Sequence, residues 1–200
     1  MCFSFNTHGL FSAGDIAYAD YWLKEEIQGH IPNTSVADGF QVYESLLNQF
    51  YDEMTPITSQ KPYMVGPGNH EANCGYQLHL TRLCLTIGFK GDNGGYKHFN
   101  ISICMTGQTN FTGFRNHFRM PSSESGGLEN FWYSFDHGMV HFVQIDTETD
   151  LGHGLIGPDQ PGGSDGEDSG PFGLADQQIN WLTNDLKSVD RNKTPWVIVG

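Results

Sequence analysis

The chain has 200 residues, enough for one domain with a sizeable core, and its 38% hydrophobic and 13% aromatic content is that of a globular protein. Its 23 Asp and Glu outnumber 10 Lys and Arg, giving a net charge of −13. That balance excludes nucleic acid and anionic membranes as natural partners, since both reward cations, and no run approaches the roughly 20 apolar residues of a membrane span.

The acidity is uneven. Between Arg119 and Lys187 there is no Lys or Arg, against twelve Asp and Glu. A phosphate ligand bound there needs metal cations to supply the attraction. The opening stretch "MCFSFNTHGLFSA" lacks the basic start and continuous apolar core of a signal peptide. Four Asn-x-Ser/Thr sequons, at Asn33, Asn100, Asn110 and Asn192, nevertheless point to a secreted glycoprotein. The four cysteines, Cys2, Cys74, Cys84 and Cys104, form no Cys-x-x-Cys pair, which disfavours a zinc ribbon or a thioredoxin-type site and leaves room for a disulfide.

In chain order, the first unusual stretch is "SAGDIAYADYW", where Gly14-Asp15 is followed by Tyr18 and Asp20 at a spacing that suits neither a helix face nor an alternating strand. Residues 39–54 place Phe40, Tyr43, Leu46, Leu47, Phe50 and Met54 on one helical stripe, with Pro56 expected to stop it. "KPYMV", 61–65, reads as a buried strand that breaks into Gly66-Pro67-Gly68 and then Asn69-His70-Glu71. Two further strands, about 131–136 and 139–146, are expected to meet at a tight His137-Gly138 turn. Residues 152–173 form a Gly/Pro/acid loop whose Asp165, Glu167 and Asp168 lack EF-hand spacing, so it reads as solvated surface. Ile179, Leu182, Leu186 and Val189 then mark a helix, and "TPWVIVG" another buried strand. Strand, loop, helix, strand is the order of an α/β protein.

In such sheets functional side chains gather where strands end. Two ends carry polar groups here, Gly14-Asp15-x-x-Tyr18 and Gly68-Asn69-His70-Glu71. Asp is a hard oxygen donor able to bridge two cations, a tyrosinate suits trivalent iron, and Asn oxygen or His nitrogen suits a divalent ion. Each motif has a plainer reading, with Asp15 capping a turn and Tyr18 in the core, but the pair together is hard to explain as packing. Glu71 reads as a residue that orients its neighbours. His141 sits mid-strand and reads as packed, His137 as a turn residue, and Asp146 and Glu148 as strand-end acids outside the site. The remaining histidines, His8, His30, His79, His98, His117 and His153, have no partner at metal-ligand spacing.

The stretches "AGDIAYADYW", "KPYMVGPGNHEANC", "FWYSFDHGMVHFVQIDTETD" and "QINWLTNDLKSVDRNKTPWVIV" resemble the purple acid phosphatases, in particular the fungal secreted type, within the calcineurin-like metallophosphoesterases. The resemblance implies a two-sheet αββα sandwich, α/β in class, with a dinuclear centre of Fe(III) and Zn, Mn or Fe(II). It implies that Asp15 bridges the metals, Tyr18 binds the ferric ion, Asn69 binds the divalent ion and His70 lies beside the substrate. The implied reaction is hydrolysis of small phosphate monoesters at acid pH. A phosphodiesterase of the wider group, or a non-catalytic glycoprotein on the same sheets, are the rival readings; Tyr18 argues against the first. The sequence carries no signal of oligomeric state.

The family's pattern has seven ligands in five blocks, of which two are present. Residues 1–200 are therefore expected to be an incomplete catalytic domain, inactive by itself. Two segments are atypical: 1–13, where polar residues break the expected strand, and 75–91, a basic, acid-free run that reads as translated intron or a wrongly drawn exon, with a surface-loop insertion as the rival reading. Cys2 and Cys84 lie in these segments, which leaves Cys74 and Cys104 as the expected disulfide.

Overall fold

A computed structural model describes residues 2–5, 9–12, 14–19, 22, 29–30, 38–68, 71, 86–90, 96–100, 111–147 and 176–200. Asn69, His70, Glu148, Cys74, Cys84, Cys104 and the loop 152–173 lie outside these residues, as does 75–85 of the atypical run. The strands are β1 (Cys2–Phe5), β2 (Gly9–Ser12), β3 (Tyr63–Val65), β4 (Thr86–Lys90), β5 (Tyr96–Asn100), β6 (Tyr133–His137), β7 (Val140–Gln144) and β8 (Trp196–Val199). The helices are α1 (Gly39–Thr58), α2 (Thr112–His117), α3 (Ser122–Ser125) and α4 (Gln177–Ser188). The class is mixed α/β, as the order of elements led one to expect.

Two three-stranded sheets, β1-β2-β3 and β6-β7-β8, share one design, and β4-β5 is a separate antiparallel pair. In each, a short antiparallel pair precedes a parallel pair whose second strand is reached through a helix: β2 and β3 through α1, β7 and β8 through α4. The crossover is what a parallel pair demands. The atypical N-terminus forms two short antiparallel strands, β1 and β2, with Ser4 and Ser12 inside them, where one continuous strand was expected. The hairpin turn is Gly138-Met139, one residue later than read from the sequence, with Gly138 at φ 60 and His137 paired to Val140.

The two sheets meet through aromatics. Phe11 of β2 lies 6.4 Å from Phe135 and 6.1 Å from Phe142, which stack on each other at 5.1 Å. Tyr133 crosses the same interface and donates its hydroxyl to the Val65 carbonyl at 2.8 Å. Trp132, Tyr133, Phe111, Phe131, Val65 and Val143 form the centre of the core. On α1, Tyr43 and Leu47 bury against Ala19 and Trp22, whereas Phe40 stays exposed. Pro56 does not stop α1. A proline removes only its own N–H bond, Asp52 at the freed carbonyl is exposed, and the helix closes two residues later through Ser59 N–H to Thr55 and Lys61 N–H to Ile57.

The helix marked by Ile179, Leu182 and Leu186 is present as α4, but the face it buries is largely polar. Leu182 packs partly buried on the core, Ile179 and Leu186 are 45% and 43% exposed, and Gln178, Trp181 and Asp185 are buried. The reason is hydrogen bonding. Asp185 accepts from the Ser134 hydroxyl at 2.5 Å and bonds His141 Nε2 at 2.9 Å, while Gln178 grips the backbone of Asp146. A polar group so satisfied is cheap to bury. Strand β8 is mostly exposed rather than buried, with Trp196 65% and Val199 50% exposed, and only Val197 packs against the core; among the described strands β8 is the outer one of its sheet.

His141 is indeed packed, but between two acids: Nδ1 to Asp136 at 2.6 Å and Nε2 to Asp185 at 2.9 Å. Burial pulls its pKa down, and the hydrogen bonds and charges of Asp185 and Asp136 outweigh that, so the net shift is upward. A raised folded pKa means the contribution is fully present below the unfolded value of about 6.5 and lost as pH rises through the folded value. Denaturant midpoints of the protein are expected to fall as pH rises from 6 to 9, and His141→Gln to flatten that fall. Asp185→Ala, which leaves His141 and Ser134 buried without their acceptor, should cost about 3 kcal/mol at pH 5.

Candidate functional site

The parallel register of β2 and β3 sets Ser12 opposite Val65, and Gly66 N–H extends the ladder to the Ser12 carbonyl at 2.8 Å. The segments that follow, 14–19 and 66–68, therefore leave the sheet side by side at its carboxyl end, where α/β sheets place their ligands. They interlock. A side chain at Gly14, whose φ is 105, would run into the backbone of Gly68, and one at Gly68 would run into the Asp15 carboxylate. Only glycine permits so close an approach.

The first loop is wound tightly, with Asp15, Ala17 and Tyr18 at φ 55, 61 and 47. Non-glycine residues in that region cost of order 1 kcal/mol each and persist only where their surroundings hold them. Here the holder is Glu71. Its Oε2 accepts the N–H of Asp15 at 2.8 Å and of Gly68 at 2.5 Å, and its Oε1 accepts the N–H of Ile16 at 2.5 Å. Its own N–H donates to the Gly68 carbonyl at 3.3 Å. Burial pushes the Glu71 carboxyl up to about 7, with the three backbone donors pulling it back down and the Asp15 charge raising it. The sequence reading of Glu71 as an orienting residue thus has a physical form, a carboxylate fastening one loop to another 56 positions away.

With the loop so held, the Tyr18 hydroxyl donates to Asp15 Oδ2 at 2.9 Å, and the ring is 44% exposed. The structure thus brings Asp15 and Tyr18 together at the surface. Asn69 and His70 are not among the described residues, although Gly68 and Glu71 on either side of them are. Among the described residues, no group of three or more His, Cys, Asp or Glu is arranged to hold a metal. Asp146, at the end of β7, is fully buried with its N–H and C=O both bonded to the Gln178 side chain, at 2.6 and 2.9 Å. Sequence reasoning passed over Gln178, and periodicity offers no sign of it.

A larger groove of about 600 Å³ lies at α2 and α3, lined in part by Arg115, Arg119 and Ser122. Its arginines are already matched by carboxylates, Arg115 to Glu129 at 2.5 Å and Arg119 to Glu124 at 3.1 Å. The candidate site is the smaller feature, where two loops present an acid and a phenol together.

No family model matches the chain. It is 39% identical over 190 residues to acid phosphatase A of Cryphonectria parasitica, covering 93% of this chain and 35% of that protein. It is 39% identical over 198 residues to an acid phosphatase of Aspergillus ficuum, covering 86% of this chain and 32% of that protein. It is also 32% identical over 176 residues to probable inactive purple acid phosphatase 9 of Arabidopsis thaliana, covering 88% and 22%. The chain thus spans about a third of the length of the fungal proteins it matches.

Interlocked loops predict a position where a methyl group is not tolerated. Gly14→Ala should destabilise the protein by more than about 1 kcal/mol, since the native φ is positive and the space is filled by backbone. Urea midpoints of the two proteins measure it.

Proposed function

Because this chain is a homologue of acid phosphatases and purple acid phosphatases, we propose that the whole protein hydrolyses small-molecule phosphate monoesters at a dinuclear metal centre. Residues 1–200 are read as part of its catalytic domain. Asp15 would be shared by the two ions, Tyr18 would hold Fe(III), and Asn69 would hold the divalent partner, Zn, Mn or Fe(II). The observation that carries this reading is the pairing of Asp15 Oδ2 with the Tyr18 hydroxyl at 2.9 Å in a loop end that faces solvent. A carboxylate and a phenol are hard oxygen donors of the kind a trivalent cation takes, and here they are already adjacent. The donor set fits the group.

When bound, two such cations lower the pKa of an attacking water and neutralise the phosphoryl oxygens. The chain's own residues do the rest. Glu71 keeps the Asp15 loop in place against the Gly68 loop. His70, which follows Asn69 in the sequence, would lie beside the phosphate and hydrogen-bond the ester or hand a proton to the departing oxygen. The surrounding acidity suits this division of labour, because a chain of net charge −13 repels a phosphate until bound metal reverses the local sign.

Export from the cell belongs to the same reading, with Asn192 as a glycan acceptor. Asn192 stands exposed in the turn after α4, its N–H donating to Asp190 at 3.0 Å, and no helix among the described residues is long and apolar enough to cross a membrane.

In the full-length protein loaded with iron and zinc, Tyr18→Phe should abolish the visible tyrosinate-to-iron absorption, and Asp15→Asn should lose both metals and all p-nitrophenyl phosphate hydrolysis at pH 5. Unchanged absorption in Tyr18→Phe would sink the ligand assignment.

A further inference from the structure

Glu71 is buried, 8% exposed, and sits between the two loops. From its contacts we infer that Glu71 is a positioning residue for the metal centre: a latch that sets the affinity and geometry of the Asp15–Tyr18 ligands without touching metal. The inference rests on the reading of Asp15 and Tyr18 given above. Three features lead to it. First, both carboxylate oxygens are engaged by backbone donors, from Asp15, Ile16 and Gly68, so neither points to the exposed Tyr18 side of the loop. Second, those donors belong to two loops whose strands are paired only as far as Ser12 and Gly66. Beyond that point Glu71 bonds to both of them. Third, the segment it holds contains positive-φ residues, Asp15 and Tyr18 among them, a conformation that relaxes when its restraints go.

The cavity on the inner side of Glu71 supports the same role. It measures about 20 Å³, room for about one water, and is lined by Ile16, Leu47, Tyr51, Phe114 and Phe118 together with Glu71. A side chain that packs against such a wall and bonds only backbone is built to hold shape. Ligand-orienting partners of this kind typically contribute 10- to 100-fold to metal affinity.

Glu71→Gln tests the latch because it keeps volume while removing one acceptor. Its single carbonyl oxygen can serve one side of the latch, and its amide then faces a backbone N–H with nothing to accept. In the full-length protein, zinc titrated alone by competition with a chelator should bind 10- to 100-fold more weakly to Glu71→Gln, with unchanged stoichiometry. In the iron-loaded protein the visible band should shift but persist, which a loss of stability alone would not produce. Wild-type zinc affinity and an unshifted band in folded Glu71→Gln would overturn the latch. Asp15→Asn run in parallel separates the two ideas: unaltered zinc binding there removes the metal-site reading itself, whereas lost binding there with wild-type affinity in Glu71→Gln removes only the latch. Should Glu71→Gln not fold, amide exchange in the unsubstituted protein decides. The Asp15, Ile16 and Gly68 amides are expected to be protected to a common degree, and rapid exchange of all three beside a protected core would refute the role.

Discussion

A carboxylate that accepts hydrogen bonds from backbone on two separate loops constrains everything around it, and Glu71 is in that position. For its oxygens to reach Asp15, Ile16 and Gly68 together, β2 and β3 must run parallel and in register, with Ser12 level with Val65. A parallel pair in turn requires a crossover, which α1 supplies, and α1 needs the buried faces of Tyr43 and Leu47 to lie down against Ala19 and Trp22. The local demands are as strict. The approach of Gly14 to Gly68 leaves no space for a side chain at either. The result is a surface at which an acid and a phenol are presented together by backbone that has little freedom to move apart.

The second sheet repeats the plan with different fastenings. Helix α4 is tied to it by polar side chains, Asp185 to Ser134 and His141, and Gln178 to both backbone groups of Asp146. Trp181 lies between these two anchors and donates its indole N–H to Ser125 at 2.9 Å, tying in α3 as well. Polar anchors of this sort add direction where an apolar stripe alone would let a helix slide or rotate, and they tie the loop after β7 to the helix that follows it. The two sheets then close on one aromatic seam, Phe11 against Phe135 and Phe142, with Tyr133 bonded to the end of β3. Both parallel pairs face the seam, and Gly66 at the end of β3 packs against Gln144 at the end of β7.

What could be read from the sequence was what depends on near neighbours. The stripe Tyr43, Leu47, Phe50 announces α1, the Gly66-Pro67-Gly68 break announces the end of β3, and Gly138 announces the hairpin. The polar strand ends at Asp15 and Glu71 stand out because charged groups seldom follow a buried strand without a role. The rest depended on distant partners. Nothing within one turn of Asp185 shows that it will be buried, for its partners His141 and Ser134 lie 44 and 51 positions away. Judged by hydropathy, Ile179 and Leu186 had the better claim to the interior, and satisfied hydrogen bonds on the other face of α4 outweighed it. Pro56 misled for the opposite reason, because a local breaking rule yields when one missing bond faces solvent. Strand β8 looked buried on composition, but only Val197 packs on the core while Trp196, Ile198 and Val199 are exposed, a division that composition does not encode.

Acidity and function meet in the same place. In the proposed reading, a chain with so large a negative balance holds a phosphate ester only through cations, and the junction that Glu71 secures is where a carboxylate and a phenol are paired. The central claim is that this junction is where both metals sit. A crystal structure of the full-length protein, with anomalous data collected at the iron and zinc edges, tests it most directly. The account predicts two anomalous peaks about 3.5 Å apart, both within bonding distance of the Asp15 carboxylate and one also bonded to the Tyr18 oxygen. Peaks lying elsewhere on the chain, or a single ion that leaves Asp15 and Tyr18 bonded only to each other, would contradict it.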